Sequence, residues 1–206
     1  ALHIGLLNMM PDSALEATER QFFRLVGRSN QVAQLYIHPF TLNSIKRGKK
    51  ASEHIKSHYK SFDEIKLQVL DALIITCANG TDPNLQLAPF YNELREVVDW
   101  SYENVTSTLC SCLATHAVLV SKYKQKRSPI GKKHWGVFPH KVVDRTHPLV
   151  KGVNTRFDVP HSRHNEITRS QFEKPNMKVL AASNVVVPLA VNPELIRIVF
   201  AQGHPE

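Results

Sequence analysis

Short apolar runs along this chain alternate with longer stretches in which apolar residues recur every three or four positions. His3-Ile-Gly-Leu-Leu7 reads as a short strand. Pro11 and Asp12 then lead into Ser13 to Gly27, where Leu15, Phe22, Leu25 and Val26 fall at helical spacing and Gly27 supplies a stop. Val32 to Phe40 predicts a second strand. Asp71-Ala-Leu-Ile-Ile-Thr76 predicts a buried one that breaks into the turn formers of Cys77-Ala-Asn-Gly-Thr-Asp-Pro83. Phe90 to Tyr102 is helical, with Leu94, Val97 and Val98 on one side. Val105 to Leu109 predicts a strand and Cys112 to Tyr123 a helix. The second half is richer in strands, at Gly136-Val-Phe138, Lys178 to Ala181, Val185 to Val187 and Leu195 to Ala201. No repeat or low-complexity tract interrupts the pattern.

Strands alternating with helical patterns predict an α/β fold on a largely parallel sheet flanked by helices. Such open sheets receive ligands at the carboxyl ends of their strands. The loop after Thr76, the turn at Cys112 and the segment Gly203-His204-Pro205-Glu206 each follow a predicted strand. Convergence of these three segments on one edge is the expectation that decides the rest.

Composition narrows the class. A chain of 206 residues with 42% hydrophobic content is enough for a single well-buried domain over 1–206. No apolar run approaches the ~20 residues of a membrane span, and no secretory leader pattern opens the sequence. Three cysteines, with Cys110 and Cys112 two apart, make neither a disulfide framework nor, with Cys77 as the only other thiol, a metal framework. A reducing cytoplasm and no bound metal are therefore expected. The formal charge of +8 concentrates at Lys46 to Lys50 and Lys122 to Lys133. Such charge suits nucleic acid, a polyanionic cosubstrate such as coenzyme A, or a solvated face. Aromatics do not interleave with it, and no nucleic-acid-binding motif accompanies it, so no nucleic-acid partner is expected.

Chemistry concentrates at two places. Thr106-Ser-Thr-Leu-Cys-Ser-Cys112 joins a β-favouring stretch to a helix-favouring one, as in a sharp turn that presents a nucleophile. His204 and Glu206, two residues apart, project to the same side of an extended backbone. A thiol, a base and a group that orients the base are the parts of covalent acyl chemistry.

In these segments the chain resembles the homoserine O-succinyltransferases and O-acetyltransferases of methionine biosynthesis. Further matching motifs are Leu7-Asn-Met-Met-Pro11, Ala17 to Leu25, Glu53-His54 with Tyr59 and Phe62, Trp100-Ser101 and Pro160-His-Ser-Arg163. The resemblance implies a class I glutamine amidotransferase-like (flavodoxin-like) fold with a nucleophile elbow. It implies Cys112 as nucleophile, selected over Cys110 by the spacing from Leu109 and the following Ala114, with His204 as base and Glu206 orienting it. It implies an oxyanion site at the backbone N–H of Leu113 and one from the loop after Thr76. Lys133 matches a substrate-contacting lysine, Ser162 a serine tied to the choice of amino-acid substrate, and Arg163 offers a two-pronged grip on a carboxylate or a brace to Glu166. No permanent cofactor is implied: acetyl-CoA or succinyl-CoA is the cosubstrate and L-homoserine the acceptor, with L-serine the alternative. A homodimer is compatible with the resemblance, as are segments beyond either end.

Three departures bear on the substrate. Asp12 and Ser13 stand where many relatives have lysine, and Thr76-Cys-Ala-Asn79 replaces Thr-Gly-Ala-Pro. Thr81 takes the position that separates succinyl from acetyl users, glycine in the former and glutamate in the latter. A branched side chain there predicts crowding of a succinyl group and a preference for acetyl-CoA. Rival classes are a glutamine amidotransferase-type glutaminase, which would use the same three residues, and a non-catalytic binding domain on the same fold.

Overall fold

In a computed structural model the described residues are all of 1–206 except 31, 184–188, 193–196 and 206. The first strands are β1 (Leu2–Leu7), β2 (Leu35–Phe40), β3 (Ala72–Ile75) and β4 (Ser107–Ser111). The helices between them are α1 (Leu15–Ser29), α2 (Lys49–His58), α3 (Phe62–Lys66) and α4 (Tyr91–Asn104). Then come α5 (Leu113–Tyr123), β5 (Ser128–Val142), β6 (Arg156–Glu166), α6 (Arg169–Glu173), β7 (Lys178–Ala182), β8 (Leu189–Val191) and β9 (Ile198–Ala201).

Among the described residues these strands form one nine-stranded sheet in the order β2-β1-β3-β4-β9-β8-β7-β5-β6. The half from β2 to β9 is parallel, and the half from β9 to β6 is antiparallel. The fold is thus α/β, as the periodicity predicts, with the parallel part confined to the strands separated by helices. Two-residue alternation and turns in the second half let its strands pair with close neighbours, which only antiparallel pairing permits.

Burial explains which strands lie central. Leu73, Ile75, Cys110 and Phe200, from β3, β4 and β9, are almost wholly inaccessible, as befits strands covered on both faces. The largest buried cluster joins them to Leu94 and Val97 of α4 and to Leu113, Val118 and Leu119 of α5.

Several boundaries differ from expectation. Helix α1 continues past Gly27 to Ser29, since a mid-helix glycine costs only ~1 kcal/mol against alanine. Helix α3 starts at a reciprocal cap: Ser61 Oγ accepts from Glu64 N–H, and Glu64 Oε2 accepts from Ser61 N–H at 2.7 Å. Strand β5 spans fifteen residues where only Gly136 to Phe138 read as a strand. Its partner β6 was not legible as a strand at all. The two form a long ribbon whose exposed positions include the polar Lys133 and Ser162 but also Trp135 and Val137. The strand predicted over Val185 to Val187 lies outside the described residues, as does part of that over Leu195 to Ala201.

Candidate active site

The sheet order brings the two chemical segments together. Ser111 of β4 is in register with Ala201 of β9, and Ile75 of β3 with Cys110 of β4. Three parallel strands therefore release Cys77, Cys112 and His204 at the same edge. Ring or thiol donor atoms of these three residues all lie within 4.8 Å of one another.

Cys112 sits between β4 and α5 with φ 50° and ψ −109°, a backbone state that a non-glycine residue adopts only when its surroundings enforce it. The enforcement is visible. Cys112 N–H donates to Ala201 O at 2.6 Å, and Thr115 Oγ donates to Cys110 O at 2.8 Å. The nucleophile-elbow geometry expected at this position is present. Leu113 opens α5, so its N–H belongs to the helix's first turn, where backbone donors lack intrahelical acceptors. The loop after β3 presses against it: a Cβ on Gly80 would stand 2.5 Å from Leu113 Cδ1. A side chain there would require the Leu113 side chain to move.

His204 is placed by the ribbon. Its N–H donates to Pro160 O at 3.0 Å. A Cβ on the preceding Gly203 would collide with Val159 Cγ1 and stand 3.0 Å from His161 Cε1. Glu206, the expected partner of His204, lies outside the described residues.

A cavity of about 290 Å³ opens over Cys112 and is lined among others by Met10, Gly80, Thr81, Leu113, Lys133, Ser162, Arg163 and His204. Every expected site residue with a described position therefore borders one space. Lys133 and Ser162 are exposed at its edge, on the paired strands β5 and β6, where Trp135 is the register partner of Ser162. Arg163 is buried, and among the described residues its hydrogen bonds run to His161 Nδ1 at 3.0 Å and His134 Nδ1 at 3.4 Å, not to Glu166. Burial pulls its guanidinium below the ordinary range, opposed by Cys112 and Glu166. Thr81 is exposed, and its carbonyl accepts from Asn165 Nδ2 at 2.9 Å.

Electrostatics separate the two neighbouring thiols. Cys110 is fully enclosed in the core, and burial pushes its thiol up to about 12. Cys112 borders the cavity instead, and its charge acts on Arg127 and Arg163. Burial lowers His116 and His161 to about 3, so both imidazoles are neutral at ordinary pH.

Several residues at the site carried no clear sequence signal. Arg127, within the basic run from Lys122 to Lys133, is buried and donates to the carbonyls of Pro83 at 3.1 Å and Gly80 at 3.2 Å and to that of Asp82. It pins the loop after β3 from below. Arg47, in the other basic cluster, donates to Met10 O at 2.5 Å and pairs with Asp12 at 3.1 Å. Asp12, where relatives carry lysine, is thus a brace for the Met9-Met10-Pro11 turn: its second oxygen accepts from Gly48 N–H at 2.7 Å. The basic clusters are partly internal, which a count of charges does not reveal.

The homoserine O-succinyltransferase family model matches residues 1–206. The chain is 62% identical over 206 residues to homoserine O-succinyltransferase of Nitrosococcus oceani, and 61% over 207 to that of Thioalkalivibrio nitratireducens. In both comparisons all of this chain is covered and 58% of the relative. The chain therefore spans under two thirds of the length of these curated relatives. Among solved structures, a glutamine amidotransferase from Thermotoga maritima superposes with TM-score 0.60 at 9% identity, covering 98% of this chain and 75% of that one. At that identity the likeness is one of fold. No described helix is long and apolar enough to cross a membrane.

Proposed function

The chain belongs to the homoserine O-succinyltransferase family, and from that premise we propose that it transfers an acyl group from acyl-CoA to the hydroxyl of L-homoserine through a Cys112 thioester. The observation that carries the reading is the meeting of the Cys112 thiol with His204 above the cavity, their donor atoms no more than 4.8 Å apart. That spacing closes to hydrogen-bond reach with a modest side-chain adjustment, as is common for unliganded sites.

The chemistry runs in two halves. His204, oriented by Glu206, takes the Cys112 proton. The thiolate attacks the thioester carbonyl, and the tetrahedral oxyanion is met by the Leu113 N–H and one from the loop after Thr76. Collapse forms the Cys112 acyl thioester and breaks the bond to coenzyme A, whose sulfur receives the proton from His204. The acceptor hydroxyl then gives its proton to His204 and attacks the acyl-enzyme, and the proton returns to the Cys112 sulfur as the ester leaves. Lys133, Ser162 and Arg163, around the rim and wall of the cavity, bind the acceptor, with Arg163 suited to its carboxylate.

For the donor, succinyl-CoA is the favoured reading. Relatives at 61–62% identity bear that name. Thr81, which argued for acetyl-CoA on steric grounds, borders the cavity as an exposed residue and not as an enclosed part of its wall. L-serine competes with L-homoserine as acceptor, because one methylene discriminates by only ~1–3 kcal/mol. A single domain over 1–206 working in the cytoplasm on small molecules completes the proposal.

Intact-protein mass spectrometry tests it. Mixing with succinyl-CoA, then acetyl-CoA, is expected to add one acyl mass on Cys112, which L-homoserine then removes. Absence of any covalent adduct with either donor, alongside glutamine hydrolysis, would replace this reading with the glutaminase one.

A further inference from the structure

Cys77 has no part in the acyl transfer described above, yet its thiol lies inside the reaction centre. The C-x-C pair suggested by the sequence is split by the fold: Cys110 points into the core, while Cys112 stands at the sheet edge. The second sulfur at the cavity comes instead from just beyond β3, because Ile75 pairs with Cys110 and the chain runs two residues further to Cys77. Cys77 Sγ, Cys112 Sγ and a ring nitrogen of His204 lie within 4.8 Å of one another.

We propose that Cys77, Cys112 and His204 form a binding site for a thiophilic divalent cation, Zn²⁺ foremost, whose occupation sequesters the nucleophile and its base together.

The donor set selects the ion. Two sulfurs and an imidazole suit Zn²⁺, while Mg²⁺ and Ca²⁺ demand oxygen ligands. A tetrahedral zinc centre needs donors roughly 3.5–3.8 Å apart, from Zn–S near 2.3 Å and Zn–N near 2.0–2.1 Å. The donors here must close by about 1 Å, which small χ rotations supply. All three residues line the cavity, from which water or an exogenous thiol would complete the coordination. Binding releases the protons of both thiols to solvent, and the two thiolates cancel the charge of the ion.

The binding rests on donor geometry alone. Only its consequence, loss of turnover, rests on the acyltransferase reading.

The test uses reduced, metal-free protein, with Zn²⁺ competed against a chromophoric chelator and Co²⁺ followed by absorption. Expected are one ion per chain and a thiolate-to-cobalt charge-transfer band. Cys77→Ser and Cys112→Ser should each weaken binding by at least the ~10–100-fold that an outer-shell partner is worth, while Cys110→Ala retains it. Circular dichroism checks that the variants fold. In unmodified protein, Zn²⁺ should slow alkylation of Cys77 and Cys112 together, mapped by peptide mass spectrometry. Absence of the band at stoichiometric Co²⁺, unchanged affinity in Cys77→Ser, or no protection from alkylation would overturn the site. Metal binding as described without any acyl-enzyme would leave the site standing and remove the acyltransferase reading; acyl-enzyme without metal binding would do the reverse.

Discussion

The backbone N–H of Cys112 donates to the carbonyl of Ala201 at 2.6 Å, so the turn holding the thiol and the strand leading to His204 form one hydrogen-bonded unit. The positive φ at Cys112 is sustained by this bond and by Thr115, whose hydroxyl also reaches Ala201 O at 3.2 Å. Strain at Cys112 is thus held by the same strand that leads to His204.

Cys112→Ala is expected to abolish acyl-enzyme formation and lower kcat by about 10⁴-fold or more, as loss of a nucleophile does elsewhere. Cys110→Ala removes a thiol enclosed in the core, costs about 1 kcal/mol of stability and leaves labelling intact. Labelling of Cys112→Ala at the unmodified protein's level would refute the assignment.

His204→Asn is expected to lose far more activity than Glu206→Gln, because the histidine moves a proton in both half-reactions while the glutamate orients it. The same logic makes Gly203 a sensitive neighbour. In Gly203→Ala the new methyl meets the β-branched Val159 and the His161 ring, so the His204 segment must shift off the ribbon. The expected cost is about 1–3 kcal/mol of stability, with kcat falling more than KM rises. Steady-state kinetics on the folded variant checks this; wild-type kcat in Gly203→Ala would show that the close fit does not matter.

How far the site was legible follows from what periodicity encodes. Cys112 and His204 stood out because each combines a reactive side chain with an abrupt change of local pattern. The parallel strands β1 and β3 were legible as apolar runs, and β4 as a short β-favouring stretch ahead of a helical one. Strand β6 was not, because its strict alternation of burial puts the polar His161, Arg163 and Asn165 on the inward face, so no apolar–polar pattern marks it in the sequence. The internal hydrogen bonds of Arg127 and Arg47 were not legible because the carbonyls that accept them come from loops distant in sequence. Asn165 escaped notice likewise: its partner, the Thr81 carbonyl, is 84 residues away.

Acid should destabilise the fold earlier than carboxylate titration alone would. Burial holds His116 at about 3, with the Gln202 hydrogen bond opposing; burial does the same for His161, with Arg163 adding to it. An unfolded histidine takes up its proton near 6.5. Between about 6.5 and about 3 the unfolded chain therefore binds more protons, and stability falls as pH is lowered, by up to about 1.4 kcal/mol per pH unit for each histidine. Urea unfolding from about pH 7.5 to about pH 5 measures the slope, and His116→Gln should flatten it. An unchanged midpoint across that range would contradict the neutral state of both rings.

The donor preference gives the sharpest test of how Thr81 acts. Were its side chain a wall of the acyl site, the longer succinyl group would be excluded and Thr81→Gly would relieve the block. The structure exposes Thr81 and fixes its carbonyl to Asn165, so the backbone there is held while the side chain borders solvent. Cationic Lys133, Arg127 and Arg163 border the same cavity and favour an acyl group that carries a carboxylate. Succinyl-CoA is therefore expected to show the higher kcat/KM, with Thr81→Gly changing the succinyl-to-acetyl ratio less than about threefold, under 1 kcal/mol. Asn165→Ala, which frees the loop, should lower kcat/KM for both donors together. A preference for acetyl-CoA that reverses in Thr81→Gly would restore the steric reading of this position and overturn the one argued from its exposure.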